Sequence, residues 1–309
     1  MDLSIVIVNW NTEALLRDCL QSVLPRLGSL AAEVIVVDNA SSDNSVAMLR
    51  AEFPAVRLIK TGWNLGFAGG NNVALQVAQG RYVMLLNTDT LVNGDVLPRA
   101  VAWMDKHPAV GVMGPRVLNA DGTVQPSTSA FPSLKHLTMQ TLGLTRIRRL
   151  DSYRMTGQDR TTEARVEVIS GAAMFVRRAA MDKVGLLDEA FFFYGEETDW
   201  CFRFARAGWG LHFVPIPSVT HFGGGSIASL NHRRDVLLTE GTTRLHRKHG
   251  GLIAGLACFA ILAAHNASRA VLWTGLELLG RSGAKERARH FRAVVADLPK
   301  AWPSRGAKA

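Results

Sequence analysis

Hydrophobic residues in the first 90 positions fall into short runs, each followed by polar or small residues. These runs predict strands at Leu3–Val8, Glu33–Val37, Val56–Lys60 and Tyr82–Leu86. Continuous runs, rather than strict alternation, are typical of strands buried on both faces of a parallel sheet. Apolar residues at helical spacing between the runs predict helices that begin at Glu13, Ser45 and Val73, with Thr12 as the N-cap of the first. The alternation of strand and helix predicts an α/β fold, with a mostly parallel, nucleotide-binding sheet in three layers.

The middle of the chain carries weaker patterns. A helix is predicted over Val96–Met104 and a strand over Val110–Met113. Residues 119–165 show no clear periodicity, so we expect a loop-rich stretch that either shapes a substrate site or is a surface excursion. Two strand segments are expected within Val166–Arg178, on either side of a small-residue turn at Gly171 where a sugar could approach the backbone.

The polar sequence Asn87-Thr88-Asp89-Thr90 ends the apolar run at Tyr82–Leu86 abruptly. Ligands of open parallel sheets bind beyond the carboxyl ends of the strands. A carboxylate at that edge can hold a divalent cation against a phosphate, although a strand-end Asp can equally cap a turn or helix. The first strand-to-helix turn contains no glycine, the Gly66–Gly70 cluster has the wrong spacing for a dinucleotide motif, and no Walker A lysine occurs. A cation on Asp89 is therefore the expected partner of a phosphate.

The charge is distributed unevenly along the 309 residues. Residues 231–309 contain 14 Lys and Arg against 5 Asp and Glu, which accounts for the whole net charge of +9. A neutral body (1–230) followed by a basic extension (231–309) argues against a uniformly basic nucleic-acid binder. The three cysteines are widely spaced and odd in number, which fits a reducing compartment. The first residues lack a basic segment, so we expect no signal peptide there.

The basic extension begins with a predicted helix over Arg233–His249. Leu252–Ala264 follows without a charge, and it is too short for a confident membrane span. Such a segment suits an interfacial helix or a buried one. Because basic residues follow it, we expect contact with an anionic lipid surface, with a packed helical cap as the alternative.

Four ordered motifs resemble the inverting nucleotide-sugar glycosyltransferases of family 2, and most closely their rhamnosyltransferase-like branch. The resemblance extends over roughly residues 3–250 and implies the GT-A fold. The motifs that carry it are Ser4-Ile5-Val6-Ile7-Val8-Asn9-Trp10-Asn11, Val36-Val37-Asp38-Asn39-Ala40-Ser41-Ser42-Asp43, Asn64-Leu65-Gly66-Phe67-Ala68-Gly69-Gly70-Asn71-Asn72 and Leu86-Asn87-Thr88-Asp89-Thr90.

The resemblance also implies roles for individual residues. Asp38 would contact the nucleotide base, a loop with Asn64 and Gly69 would cover the ribose and diphosphate, and Asp89 would ligate Mg²⁺ or Mn²⁺. Asn87 departs from the family, whose Asp-x-Asp motif has its first acid there, so the site should depend more on the donor diphosphate for coordination. The full set of implied donor-binding residues is Asn9, Asp38, Asn64, Gly69, Asn71, Asn87 and Gly171.

Three acids open a predicted helix that runs from Glu196 to about Ala207. Asp199 can pair with Arg203 four residues later, and Glu196 can complement the helix dipole. Glu197 faces the apolar positions of the helix instead. In the resembled family this position is the general base, so Glu197 is the expected base and Asp199 the weaker candidate.

His221 follows a predicted strand and precedes three glycines and a serine. A histidine in that place is often only a hydrogen-bonded structural residue. The resemblance implies a metal ligand followed by a flexible donor loop, and imidazole is a suitable ligand for Mn²⁺.

Together these features predict a metal-dependent inverting glycosyltransferase on the cytoplasmic face of the inner membrane. The resemblance suggests dTDP-rhamnose as donor and a saccharide or polyprenyl-linked acceptor. Two alternatives are a sugar nucleotidylyltransferase, which would need a glycine-rich basic loop after the first strand, and a non-catalytic sugar-binding or scaffold protein with the same fold.

Overall fold

The computed structural model describes residues 1–146, 160–223 and 231–303. These residues form two compact units. The first contains residues 1–130, 160–192 and 196–223, and the second contains 131–146, 193–195 and 231–303. The sequence-based division at residue 230 stays a prediction about domains. The structure adds that residues 131–146 group with the C-terminal helices.

The helices and strands alternate along the first part of the chain, as the hydrophobic pattern predicts. The strands are β1 (Leu3–Asn9), β2 (Ala32–Asp38), β3 (Arg57–Lys60), β4 (Tyr82–Asn87), β5 (Thr90–Val92), β6 (Val110–Leu118), β7 (Val124–Gln125), β8 (Thr128–Ser129), β9 (Ala164–Arg165), β10 (Val168–Ile169), β11 (Ala173–Arg177) and β12 (Gly210–His221). The α-helices are α1 (Glu13–Val23), α2 (Ser45–Glu52), α3 (Gly66–Leu75), α4 (Val96–Lys106), α5 (Leu134–Thr141), α6 (Arg178–Val184), α7 (Glu196–Arg206), α8 (His232–Leu278) and α9 (Ala284–Asp297). Short 3₁₀ helices cover Leu24–Arg26, Leu144–Arg146 and Leu298–Ala301.

The main sheet of the first unit has the strand order β3-β2-β1-β4-β11-β6-β12-β5. The first four strands are parallel, and β11 lies antiparallel to both β4 and β6. Strand β12 is parallel to β6, and β5 is antiparallel to β12. The sheet is therefore mostly parallel, with the carboxyl ends of β1, β2, β3 and β4 at one edge. This confirms the predicted α/β class of fold with a mostly parallel sheet.

The two faces of the sheet are covered by different helices. Leu3, Ile5 and Ile7 of β1 belong to one buried cluster with residues of α1, α2 and α4. On the opposite face, a Cβ at Gly70 of α3 would lie 2.7 Å from a γ-methyl group of Val8. Glycine at this position lets α3 pack directly on β1, which fixes the height of the helix above the sheet edge.

Helix α3 begins earlier than the sequence predicts. The pattern predicted a loop over 62–72 and a helix over Val73–Gln79, whereas the helix spans Gly66–Leu75. Glycine and asparagine have low helix propensity, which favoured the loop. Tertiary contacts outweigh that preference, because Asn72 donates to the Leu187 carbonyl and accepts from the Leu187 amide.

Other elements also differ from prediction in extent. The strand predicted at Val110–Met113 continues to Leu118, through Pro115. Residues 119–165 contain short strands and α5, although 147–159 lie outside the described residues. The predicted segments around Gly171 are β10 and β11, but they belong to different sheets, since β10 pairs with β8.

In the second unit, α8 is a helical hairpin. Gly251 has φ 80° and ψ −176°, which divides α8 into two arms. The arms are antiparallel: the Thr243 hydroxyl faces the Cys258 thiol, and a Cβ at Gly255 would lie 2.8 Å from the Arg247 Cβ. Helix α9 packs on this hairpin, with His290 Nε2 2.9 Å from Asp235 Oδ2. The second arm runs to Leu278, so the segment predicted at Leu252–Ala264 is about half of a longer helix.

Candidate functional site

Asp89 and His221 meet at the carboxyl edge of the sheet. Strand β4 ends at Asn87, whose carbonyl accepts a 2.6 Å hydrogen bond from the Thr90 hydroxyl, and this bond closes the turn that carries Asp89. Strand β5 then pairs antiparallel with β12, with Thr90 opposite His221. As a result, His221 Nε2 lies 3.2 Å from Asp89 Oδ1. The two predicted metal ligands, 132 positions apart in the sequence, are neighbours in the fold.

The chemistry of this pair fits a divalent cation. Two ligands of an octahedral ion at bond lengths of about 2.1 Å and a right angle are about 3 Å apart, close to the observed separation. Gln125 Oε1 lies 2.7 Å from His221 Nδ1, which orients the ring with Nε2 toward Asp89. Both side chains are partly accessible, at 16% for Asp89 and 17% for His221. The described residues hold no cluster of three or more His, Cys, Asp and Glu that could hold a metal ion.

Asn9 and Asp38 lie side by side at the ends of β1 and β2. Asn9 Nδ2 donates to Asp38 Oδ1 at 3.1 Å and to the Ser41 hydroxyl at 3.0 Å. Thr12 is the N-cap residue of α1 as predicted, but its side chain makes no capping hydrogen bond, and its hydroxyl donates to Asn9 Oδ1. These hydrogen bonds therefore hold the polar ends of β1 and β2 together at the predicted nucleotide site.

Asn39 is a residue that the sequence analysis missed. It is buried, and its Nδ2 donates to Asn64 Oδ1 at 2.9 Å and to the Gly66 carbonyl at 3.1 Å. Its Oδ1 accepts from the Leu65 amide at 2.9 Å. Asn39 thus fastens the turn before α3 to the end of β2. Its position directly after Asp38 was the available signal.

The remaining predicted donor residues lie in or against this framework. Asn71 is buried and donates to the Phe67 carbonyl of its own helix, and Gly69 packs against Leu65. A Cβ at Gly171 would lie 2.9 Å from the Phe67 ring, so the turn after β10 touches α3. Asn87 is half-buried beside the Asp89 turn. Their contact with a nucleotide stays a prediction.

The acids of α7 occupy different environments. Asp199 is fully buried and accepts from Arg203 Nε at 2.8 Å, which confirms the expected pair. Glu196 is also buried, and burial, with a smaller effect from the charge of Glu197, raises its carboxyl pKa well above the usual value. Glu197 is half-buried. One turn later, the Cys201 thiol contacts the Ile169 carbonyl of β10, so the Glu197 face of α7 is directed toward the strand that precedes Gly171.

The loop predicted after His221 falls largely outside the described residues, which resume at residue 231. Before that gap, the Phe222 amide donates to the Asp89 carbonyl at 2.9 Å. The backbone therefore ties the end of β12 to the Asp89 turn, in addition to the side-chain pair.

The chain matches a protein-family model. The model described as glycosyl transferase family 2 covers residues 4–185, more than half of the chain. An N-acetylglucosaminyl-diphospho-decaprenol L-rhamnosyltransferase of Mycobacterium tuberculosis is 32% identical over 213 residues, which are 62% of this chain and 68% of the relative. The low-salt glycan biosynthesis hexosyltransferase Agl10 of Haloferax volcanii is 26% identical over 224 residues, 71% of this chain and 67% of the relative.

A solved structure shares the fold at lower identity. The mannosyltransferase PcManGT of Pyrobaculum calidifontis, in complex with GDP-Man and Mn²⁺, superposes with a TM-score of 0.56 at 16% identity. The superposition covers 97% of this chain and 86% of that one. At this identity the likeness concerns the fold alone.

Proposed function

Because the chain belongs to glycosyl transferase family 2, we propose that it uses a divalent cation and transfers its sugar with inversion of the anomeric centre. The observation that carries this proposal is the Asp89–His221 pair, with its two ligating atoms 3.2 Å apart at the carboxyl edge of the sheet. A cation held there would neutralise negative charge on the donor diphosphate. Mn²⁺ and Mg²⁺ both suit the proposal, and the imidazole ligand favours Mn²⁺.

Glu197 is the proposed general base. Its carboxylate takes the proton from an acceptor hydroxyl as the acceptor oxygen forms a bond to the anomeric carbon of the donor. The bond from that carbon to the diphosphate oxygen breaks on the opposite face, and its electron pair leaves with the nucleoside diphosphate. Glu196 is suited to remain protonated beside Glu197, because burial raises its pKa.

The proposed donor is dTDP-rhamnose and the proposed acceptor is a polyprenyl-linked saccharide. The support is the Mycobacterium tuberculosis relative, whose name specifies an L-rhamnosyl group and a diphospho-decaprenol acceptor. The nucleoside half of such a donor would bind a polar surface held in place by hydrogen bonds and formed by Asn9, Asp38 and Asn39.

A binding and turnover experiment tests this function. The protein is screened by thermal shift against nucleotide-sugars with Mn²⁺, with Mg²⁺ and with EDTA, since a ligand that binds only the folded state raises the melting temperature. The best donor is then incubated with a synthetic polyprenyl-diphosphate saccharide, and the anomeric configuration of the product is determined by NMR. We expect metal-dependent donor binding and an inverted product.

Asp89→Asn should abolish both the metal effect and transfer, because an amide cannot supply an ionised ligand. Asp95→Asn is the matched control, since Asp95 is exposed and pairs only with Arg99 among the described contacts. Wild-type activity of Asp89→Asn in Mn²⁺ would make Asp89 a turn residue. Donor binding without transfer or hydrolysis would favour the non-catalytic alternative, and formation of a nucleotide-sugar from a sugar phosphate would favour the nucleotidylyltransferase.

We also propose that the second arm of α8 attaches the protein peripherally to the cytoplasmic face of the membrane. The arm is long and apolar enough to cross a bilayer, and few of its residues are buried. Its exposed large apolar residues lie in two groups, one near each end of the arm. They include Leu252, Ile253, Leu256, Val271, Leu272 and Leu278, with Ile253 83% and Leu278 84% exposed.

Basic groups beside this face favour anionic lipid as its partner. The Arg287 guanidinium of α9 lies 4.5 Å from the centre of the Trp273 ring, next to Val271 and Leu272. Tryptophan and arginine at the border of an apolar face are typical of interfacial helices. Because α9 packs on both arms of the hairpin, this arrangement fits a helix lying on the bilayer better than one crossing it.

Point substitutions test the attachment without dismantling the helices. Ile253→Lys and Leu278→Lys together should lower binding to vesicles of 30 mol% anionic lipid, because two charged side chains replace exposed apolar ones that would be buried in the lipid. Lys285→Ile is the control. It makes the reverse change, from a lysine to an apolar residue, on the exposed face of α9. Equal vesicle binding of wild type and the double variant would contradict the proposal.

A further inference from the structure

The two residues before α7 adopt an unusual backbone conformation. Tyr194 has φ 71° and Gly195 has φ 98°, so two consecutive residues lie in the left-handed region. For an aromatic residue this conformation is strained, and it persists only where surrounding structure enforces it. Glu196 and Glu197 follow immediately. The direction in which α7 starts, and hence the place of Glu197, depends on these torsion angles.

Helix α8 holds this segment through a glycine. Gly241 is buried on the first arm of α8, and the Tyr194 carbonyl lies directly against its Cα. A Cβ at Gly241 would overlap the Tyr194 oxygen and would lie 3.1 Å from the Tyr194 carbonyl carbon and 3.6 Å from the Phe193 oxygen. Neither neighbour is the flexible end of a side chain. Any larger residue at 241 must therefore displace a backbone.

The first arm of α8 is held by contacts on both sides of Gly241. On one side of Gly241, Asp235 is bound to His290 of α9. On the other side, Arg247 packs closely on Gly255 of the second arm and donates to the Pro303 carbonyl at 2.8 Å. A Cβ at residue 241 would therefore press on the Tyr194 peptide from a helix that contacts hold on both sides.

We propose that Gly241 is a positioning residue for the general base. Because residue 241 has no Cβ, the Tyr194 carbonyl can lie against its Cα, and this contact fixes the backbone two residues before α7 begins. The proposal rests on the proposed role of Glu197. It explains why a left-handed tyrosine is tolerated next to the acidic motif. It also gives the first arm of α8 a part in turnover that is separate from lipid attachment.

Gly241→Ala is the primary test. We expect kcat to fall by about 10- to 100-fold, since a displacement of the order of 1 Å can cost that much, while the donor dissociation constant stays within about twofold. Gly275→Ala is the matched control on the same helix, where an added Cβ meets no atom within 4 Å, and it should keep wild-type kcat. Gly241→Ala with wild-type kcat would overturn the proposal. Equal loss of kcat and donor affinity would also overturn it, because the contact would then serve the fold in general.

A second pair of variants leaves Gly241 intact, in case the alanine variant does not fold. Tyr194→Gly frees the backbone and should lower kcat severalfold with donor affinity retained. Tyr194→Asn removes the same ring but tolerates the left-handed conformation, so it should keep kcat near wild type. Equal kcat for these two variants would overturn the proposal. The turnover of Glu197→Gln is measured in parallel. If Glu197→Gln keeps its turnover, the assignment of Glu197 as the base is refuted. If Glu197→Gln loses turnover while Gly241→Ala and Tyr194→Gly keep wild-type kcat, only the positioning role of Gly241 is refuted.

Discussion

Glu197→Gln separates the proposed base from the acid beside it on the same helix. The substitution preserves the size and shape of the side chain. The Asp89–His221 pair and the polar surface formed by Asn9, Asp38 and Asn39 should therefore remain unchanged. Loss of a positioned general base lowers rates by about 10²–10⁴, which corresponds to about 2.7–5.5 kcal/mol in activation free energy. Donor affinity should remain near wild type, because the base acts on the acceptor hydroxyl.

Asp199→Asn is the matched comparison, two positions away. Asp199 is 0% exposed and Arg203 is 21% exposed, so their ion pair is mostly shielded from water. Breaking a fully buried pair costs about 3–5 kcal/mol, and partial exposure of Arg203 reduces this to about 2–3 kcal/mol. Arg203 also donates to the Val184 and Leu186 carbonyls, which it can keep. We expect a melting temperature lower by roughly 4–12 °C in a unit of this size, with turnover per folded molecule close to wild type.

The assay measures three quantities for both variants: release of nucleoside diphosphate at saturating donor, donor affinity by calorimetry, and melting temperature. Glu197→Gln should lose turnover alone, and Asp199→Asn should lose stability alone. If Asp199→Asn loses turnover while Glu197→Gln keeps it, the base has been assigned to the wrong acid.

Three further outcomes are expected. His221→Ala should weaken metal-dependent donor binding less than Asp89→Asn and be partly rescued by raised Mn²⁺, whereas unchanged metal dependence in a titration would leave His221 with a structural role only. Asn39→Ala removes the acceptor of the Leu65 amide and the side-chain donor to the Gly66 carbonyl, so it should cost about 1–3 kcal/mol of stability in urea unfolding and also weaken donor binding; unchanged stability together with unchanged donor binding would contradict the role of Asn39 in holding this turn. Glu196→Gln should alter the pH dependence of stability: because the folded pKa of Glu196 is raised, its stabilising effect is present below about pH 4.3 and is lost as pH rises through the folded pKa, at up to about 1.4 kcal/mol per pH unit. The free energy of unfolding of the variant should therefore rise relative to that of wild type between pH 4 and pH 7. The same difference between the two proteins at both pH values would argue against a protonated Glu196.

The hydrophobic pattern was sufficient to predict the class of fold and most of its parallel strands. Runs such as Leu3–Val8 and Tyr82–Leu86 are long, apolar and bounded by polar residues, and that local pattern directly reflects burial in a parallel sheet. The polar residues that follow them were identifiable for the same reason, since the carboxyl ends of parallel strands share one edge. Asp89 was found in this way, whereas the role of Asp38 was implied by the resemblance to family 2 glycosyltransferases.

Local pattern failed where distant contacts decide the conformation. Gly66–Asn72 looks like a loop because glycine and asparagine are poor helix formers, yet packing on Val8 and bonds to Leu187 make it helical. The uncharged tail segment could not be distinguished as a span, an interfacial helix or a cap. Its antiparallel packing appears only once Gly251 reverses the chain.

The candidate site shows the same division. Sequence could nominate Asp89 and His221 separately, but only the antiparallel pairing of β5 with β12 brings their ligating atoms within 3.2 Å. It could place Glu196, Glu197 and Asp199 on one helix, but the burial of Glu196 and the contact of Tyr194 with Gly241 depend on segments far away in the chain. Residue type and spacing determine which chemistry is available, and those are local properties. Long-range packing decides which groups come into contact and which acid is buried. It involves residues distant in the sequence, so the local pattern does not predict it.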